Sequence, residues 1–371
     1  MKRKTRDTNG QWPVMKRYEG EHLARISLPL GGIGTGTIGF GGRGQLRDWE
    51  VGNRPSKGFV PHNAFFALYA KPAGGAAVAR ALEGAIPRQE FEGATGCATP
   101  NHGLPRFRSC VFETAYPFGR VRLADPGVPV DVGIEAFNPL VPGDADASGI
   151  PLAVLRFVLT NKTAKRLEAS VCGSLQNFIG TDGRNGKPRR NVNEPQRGPG
   201  RWKGILMRSD GVPQDDEFQG TLALATDAAR VTWRTAWARL SWGNALLDFW
   251  DDFSADGRLE ERQAPGEDAP TASLAAGVTL EPRATQCVTF LLAWRFPNRM
   301  TWTPRPGIAA AGASRARTPF VRKAEVSRPL PADPALAVWN YPGDPGALGF
   351  EECVFDSDFC SVRPQIEAVG E

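Results

Sequence analysis

Residues 151–160 read PLAVLRFVLT, and their alternation decides the fold class. On an extended chain, successive side chains point to opposite faces. Leu152, Val154 and Val158 then share one face with Arg156, while Leu155, Phe157 and Leu159 share the other. A strand apolar on both sides is expected at the centre of a sheet, between packed layers. Upstream, Val128–Phe137 (VPVDVGIEAF) sets Val128, Val130, Val132 and Ile134 on one face. Thr114–Leu123, Leu167–Ile179, Gly204–Met207, Gly220–Ala225, Val231–Trp237 and Cys287–Ala293 extend the series, as does the compact run NAFFALYAK at 63–71. Asn161-Lys162-Thr163 and Asp256-Gly257 are turn signals between them. Many short strands with a turn roughly every ten residues argue for a sandwich or barrel. No segment before Arg299 shows a sustained helical period. The expected fold is therefore all-β: a large antiparallel β-sandwich of two packed sheets, with long loops at its ends and an irregular C-terminal tail.

Composition agrees. The 371 residues include 42 Gly and 31 Pro, which favours turns over long helices. Net charge is +5, with a pI near 9.0. A mild basic excess fits a solvated surface rich in Arg and does not demand an anionic partner, so no nucleic acid is expected. No stretch approaches the ~18 apolar residues of a membrane span. Met1–Gly20 has no apolar run of signal-peptide type, and a cytoplasmic product is expected. The six cysteines form no C-x-x-C pair, and His22, His62 and His102 lie far apart. Reduced thiols, no metal and no cofactor are the expectation.

The chain divides into a flexible N-terminal arm over 1–25, the sandwich over 26–299 and a tail over 300–371. The tail is rich in Ala, Arg and Pro and has no period. Two readings of it stay open: a disordered tail, or a GC-rich coding sequence read out of frame.

Several motifs invite chemistry. Gly34-Thr35-Gly36-Thr37-Ile38-Gly39 spells G-x-G-x-x-G, but the glycines that follow cannot open the helix a dinucleotide site requires. A loop built for positive φ and close packing is the reading here. Asp48 and Glu50 flank Trp49, and on a strand both carboxylates share one face, expected to be solvated. Asp248, Asp251 and Asp252 in LLDFWDDFSADG read as turn residues. Residues 182–203 (DGRNGKPRRNVNEPQRGPGRWK) read as a long exposed basic loop. Only Trp202 interrupts its charges, so a single-strand platform is weak. With three histidines in the chain, general acid–base work would fall on carboxylates.

The string LPLGGIGTGTIGFGGRGQLRDWEVGNRPSKGF at 28–59, followed by NAFFALYAK, resembles the opening of the N-terminal domain of glycoside hydrolase family 116. Collinear matches follow: VDVGIEAFNPLVPGD (130–144), SGIPLAVLRFVLTNKT (148–163), SLQNFIGTDGRNGKPRRNVNE (174–194), LLDFWDDFSADGRL (246–259) and FLLAWRFPNR (290–299). The resemblance spans about residues 18–299. It implies a large antiparallel sandwich that packs against an (α/α)6 barrel carrying the glutamate nucleophile and the aspartate acid/base of a retaining β-glucosidase or glucosylceramidase-like enzyme. Those two residues come after the AWRFPN segment, so no catalytic residue transfers to this chain. The implied role is an accessory N-terminal domain, inactive alone. Its partner is the missing barrel or a separately encoded half, and a β-glucoside is a possible ligand. Asp48, Trp49, Glu50, Asp182, Arg189, Arg190 and Trp250 are the candidate sugar-site or interdomain contacts. Two rival functions stand beside this one. One is a free-standing carbohydrate-binding module stacking sugars on Trp49, Trp242 or Trp250. The other is an autonomous glycosidase using Asp48, Glu50 or the 248–252 carboxylates.

Overall fold

A computed structural model describes residues 15–300, apart from 92–96, 98, 100, 199 and 263–265, together with 319–320. Its largest sheet has nine antiparallel strands. In spatial order they are β1 (Lys16–Glu19), β7 (Ser109–Ala115), β8 (Phe118–Ala124), β9 (Val130–Phe137), β10 (Leu152–Asn161), β17 (Thr285–Arg295), β14 (Thr221–Thr226), β13 (Lys203–Ser209) and β12 (Asn191–Arg197). A second sheet orders β15 (Arg230–Arg234), β16 (Thr271–Leu280), β11 (Leu167–Gln176), β5 (Phe65–Pro72) and β6 (Val78–Ala81). A smaller sheet holds β2 (Ser27–Leu30), β3 (Thr37–Gly41) and β4 (Leu46–Glu50). The two large sheets pack face to face around one continuous apolar core. Phe66 of β5 meets Phe157 of β10 and Phe290 of β17 across the gap, with ring centroids 4.8 and 5.2 Å away. The all-β antiparallel sandwich is the fold that the alternating strands imply.

The core-facing side of β10 is Ala153, Leu155, Phe157 and Leu159, all buried. Its other side, Leu152, Val154, Arg156 and Val158, is only half-buried, so β10 is central in its sheet but not enclosed on both faces. Strands buried on both faces lie in the five-stranded sheet: β5 from Phe65 to Ala70, β11 from Ala169 to Leu175 and β16 from Thr271 to Ala276. The reason is a third layer that the sequence reading did not expect. Helix α2 (Asn244–Asp256; α1 is the single turn Ala145–Ser148) lies on the outer side of the five-stranded sheet. Leu246, Phe249, Trp250 and Phe253 recur at i, i+3, i+4 and i+7, which is one helical face. Phe249 stacks 4.5 Å from Trp237 and meets Phe65 edge-on. Phe253 meets Tyr69. Full burial of these two phenylalanines stabilises the layer by about 3–6 kcal/mol, an upper figure. Asp256-Gly257, read as a hairpin turn, is the helix end: Gly257 has φ 77° and its N–H donates to Phe253 O.

Further expectations change. The glycine-rich segment after Ile26 is not a plain loop but the three-stranded sheet, and its glycines permit close approach. A Cβ on Gly36 would stand 2.8 Å from Glu50 O, and one on Gly31 would stand 2.6 Å from the Trp294 ring. Thr114–Leu123 is two strands, because Tyr116-Pro117 turns the chain between β7 and β8. The basic stretch 182–203 contains β12, paired along its length with β13. β16 (TASLAAGVTL) escaped notice because small residues mute its alternation. Lys16–Glu19 already pairs with β7, ten residues before the boundary set at 26. Residues 1–14, 301–318 and 321–371, which include most of the C-terminal tail, lie outside the described residues.

The connections are unequal. At one end of the sandwich, 73–77, 125–129, 162–166, 198–202, 227–229 and 281–284 each take three to five residues, and the longer 82–108 enters β7 at this end. At the other end they are 51–64, 138–151, 177–190, 210–220 and 235–270, the last of which carries α2. The β2–β3 turn, the β7–β8 turn and the exit of β17 lie at this same long-loop end, as the β9–β10–β17 register requires.

Candidate functional site

Long connections on a rigid scaffold are where sites are built. Four sequence-nominated positions, Asp48, Trp49, Glu50 and Asp182, converge at the long-loop end, around the loop 51–64. Asp48 does not lie on a solvated face. A register shift between β3 and β4 and a φ of 49° at Asp48 break the simple alternation. Its buried carboxylate accepts from Ser27 Oγ at 2.7 Å, from the Gly58 N–H at 2.8 Å and from Arg47 Nε at 3.1 Å. Burial pushes this carboxyl up, but the Gly58 and Ser27 donors and the Arg47 and Lys57 charges outweigh it and hold it below its ordinary 3.8. Glu50 accepts from the Ser56 N–H at 3.0 Å and pairs with Lys57. Both carboxylates therefore grip the backbone of one loop.

Trp49 is 2% exposed and edge-on to Phe178, and its backbone N–H donates to Phe59 O. It is core, and offers no face to a sugar. Asp182 is buried as well. Its carboxylate accepts from the Arg184 and Asn185 N–H groups and from Asn185 Nδ2, while its carbonyl accepts from Ser56 Oγ. Against the upward push of burial, Asn185, Arg184 and the Arg54 charge hold it below 3.8. Arg189 and Arg190 are exposed beside this cluster. Arg190, at φ 45°, donates through its N–H to Asp268 and through Nη2 to Asp210 O.

Trp250 is not part of the cluster; it half-buries on α2 against the second core. The 248–252 carboxylates are not turn residues. Asp248 and Asp252, one helical turn apart, both hold Arg234, which is 0% exposed, and Arg262 also pairs with Asp248. Trp242 stands 97% exposed just before the helix.

Sequence reading missed two constructions. The first is a cleft of about 470 Å³ beside the loop, lined by Arg54, Asn185, Pro213, Asp215, Asp216 and Phe218. Arg54 pairs with Glu217 and lies 5.6 Å over the Phe218 ring. The second is a buried asparagine network. Asn177 Nδ2 donates to Asn193 Oδ1 and Arg208 O, Asn191 Nδ2 to Asn177 O and Ile179 O, and Asn193 Nδ2 to Thr235 O and Pro270 O. Asn191 and Asn193 sit two apart on β12, which was the available signal.

Hydrolysis with retention asks for two carboxyls ~5 Å apart, one attacking and one kept protonated to donate. Asp48 and Asp182 are instead held ionised, each by a full set of donors. Among the described residues Glu135 is a carboxyl pushed above its ordinary value, by burial on the outer face of the large sheet. It faces the Arg156, Arg120 and Arg122 guanidiniums, not a second carboxyl. Two thiols are poor nucleophiles: burial pushes Cys110 up to about 12 and also raises Cys172. No group of three or more His, Cys, Asp or Glu is placed to hold a metal among the described residues. No helix among them is long and apolar enough to cross a membrane.

Comparison with solved structures returns distant likenesses. One is to a chain provisionally named kojibiose phosphorylase from human microbiome, at 10% identity and a TM-score of 0.35, covering 77% of this chain and 32% of that one. Another is to a polysaccharide lyase, at 11% identity and a TM-score of 0.33, covering 76% and 33%. This chain thus spans about a third of the length of the structures it matches, and neither likeness is close enough to speak for function. A family model is decisive: the N-terminal domain of glycosyl-hydrolase family 116, described as beta-glucosidase 2, matches residues 27–305. With that match across the sandwich, from the β2 hairpin to the exit past β17, this chain belongs to the family of glycosyl-hydrolase family 116 N-terminal domains.

Proposed function

We propose that this protein is the accessory sandwich domain of a retaining β-glucosidase or glucosylceramidase-like hydrolase, acting in the cytoplasm and without hydrolytic activity of its own. The carrying observation is the state of its carboxylates. Asp48, Glu50 and Asp182, gathered around loop 51–64, are spent on gripping backbone, and of the carboxylates at the neighbouring cleft Asp216 accepts from the Phe218 N–H and Glu217 pairs with Arg54. The described residues also contain one helix longer than a turn, so they do not form the (α/α)6 barrel that the family resemblance ties to catalysis. The domain's task is to stabilise that barrel and to shape one wall of its sugar site, with the barrel supplied as a partner half. The division of the chain into an arm, a sandwich over 26–299 and a tail belongs to the same reading.

The test is hydrolysis of an aryl β-glucoside by the purified protein. No turnover above the uncatalysed rate is expected. Turnover abolished by Asp48→Asn, Glu50→Gln or Asp251→Asn would overturn the proposal and restore the autonomous-glycosidase reading.

A further inference from the structure

We propose that the long-loop end of the sandwich is the docking face for the domain that follows it in the family's longer chains, with Trp242 as its outlying anchor. This rests on the accessory-domain reading and deepens it by naming the surface.

Exposed apolar side chains are gathered there. Among the described residues the exposed large hydrophobics are Ile33, Phe91, Tyr116, Val141, Leu240, Trp242 and Leu247. All but Phe91 lie at or beside the long-loop end. Ile33 is in the β2–β3 turn, Tyr116 in the β7–β8 turn and Val141 in the 138–151 loop. Leu240, Trp242 and Leu247 surround the start of α2, which runs inward from this end: Phe249 meets Phe65, the first residue of β5, and Phe253 meets Tyr69 four residues on. Clustered exposed apolar groups mark an interface, whereas scattered ones do not.

Backbone strain is gathered there as well. Of the non-glycine residues with positive φ, Asp48, Asn53, Asn63, Arg190 and Trp242 lie at this end, and only Arg283 lies at the other. Asn and Asp tolerate the left-handed region, but a Trp there is an outlier. Trp242 at φ 59° followed by Gly243 at φ 79° throws the indole clear of the body, with no burial in this chain to offset the strain. Such outliers persist at recognition and switch sites. A buried Trp is also the side chain that most often dominates an interface.

The occupant follows from where the chain leaves. Asn53 Nδ2 donates to Phe296 O and Asn298 O, and Asn298 Nδ2 donates to Gln214 O and Asp216 O. The segment after β17 is thus stitched between loops 51–64 and 210–220, and anything that follows it begins on this surface. The rival face, the outside of the nine-stranded sheet, presents ion-paired Glu113–Arg120 and Glu135–Arg156 and no exposed large hydrophobic.

The experiment mixes this protein with a separately expressed helical catalytic domain of a family 116 β-glucosidase, shown to be folded by circular dichroism. Hydrogen exchange and titration are measured. Slowed exchange is expected in 31–36, 51–64, 138–150 and 238–245, and Trp242→Ala should weaken association about tenfold or more without moving the protein's own melting temperature. Slowed exchange confined to the outer sheet face or to the short turns would overturn this inference and leave the accessory role standing. So would Trp242→Ala binding as tightly as the unaltered chain. No association at all would overturn the accessory role, and the inference with it.

Discussion

The two ends of this sandwich are made from the same strands and carry opposite burdens. At one, connections of three to five residues join the strands and need few side-chain ties. Asn161 is the main tie: its Oδ1 accepts from the Thr163 N–H, and its Nδ2 donates to Lys165 O and, in the neighbouring connection, to Glu281 O. At the other, loops of eleven residues and more are tied to one another by buried carboxylates, asparagines and an arginine. A long loop loses more entropy on ordering than a short one, so each needs its own fastening. The lesson is that buried polar groups here trace where the chain is held against its preference. They do not trace where chemistry happens.

Breaking the fastening of the helical layer should have the largest effect. Arg234→Met leaves Asp248 and Asp252 facing each other without their shared, fully buried cation. A loss of about 3–5 kcal/mol in denaturant unfolding is expected, with exchange quickened across 244–256. A loss below 1 kcal/mol would mean that apolar packing alone holds α2 in place.

Asp48→Ala should come next. It removes the acceptor that pins Gly58 and Ser27, and about 1–3 kcal/mol is expected. Exchange should quicken at Gly58 and Phe59 while 162–166 is unchanged. The same carboxylate gives a pH signature. Its folded pKa lies below the ordinary 3.8, so its contribution is complete above that value and is lost as pH falls through the lower folded one. Acid should loosen the long-loop end before the short turns, and Asp48→Asn should flatten that pH dependence. Simultaneous loosening of both ends would refute the contrast.

The smallest effect belongs to the short turns. Five Gly and Ser residues inserted within 73–77 double that connection, and about 0.6 kcal/mol is expected. A cost of several kcal/mol would show that this end, too, is fastened by more than its length.

Local alternation was enough to place β9, β10 and β17, because each buries one face more deeply than the other, and it also located β11, which is buried on both faces from Ala169 to Leu175. It was enough for the fold class, and the strings around AFNPLVPGD and AWRFPN were enough for the family. Helix α2 was legible too. Its 3.6-residue spacing stands in LLDFWDDF, but the acidic residues between the apolar ones disguised a helical face as a turn. The strands of the glycine-rich segment and of β16 were not legible in this way, since residues without large side chains leave no pattern to count.

What only the tertiary structure decided is which polar residues are spoken for. Asp48, Glu50 and Asp182 look the same in sequence whether they face water, a sugar or a backbone N–H. Some partners are distant, such as Ser27 for Asp48 and Ser56 for the Asp182 carbonyl; others, such as Ser56 for Glu50 and Asn185 for Asp182, are within a few residues but face the carboxylate only once the loop is closed. Sequence sets which side chains prefer burial through a local period. The pairing of buried charges is a long-range fact, because electrostatic satisfaction depends on distance in space and not along the chain.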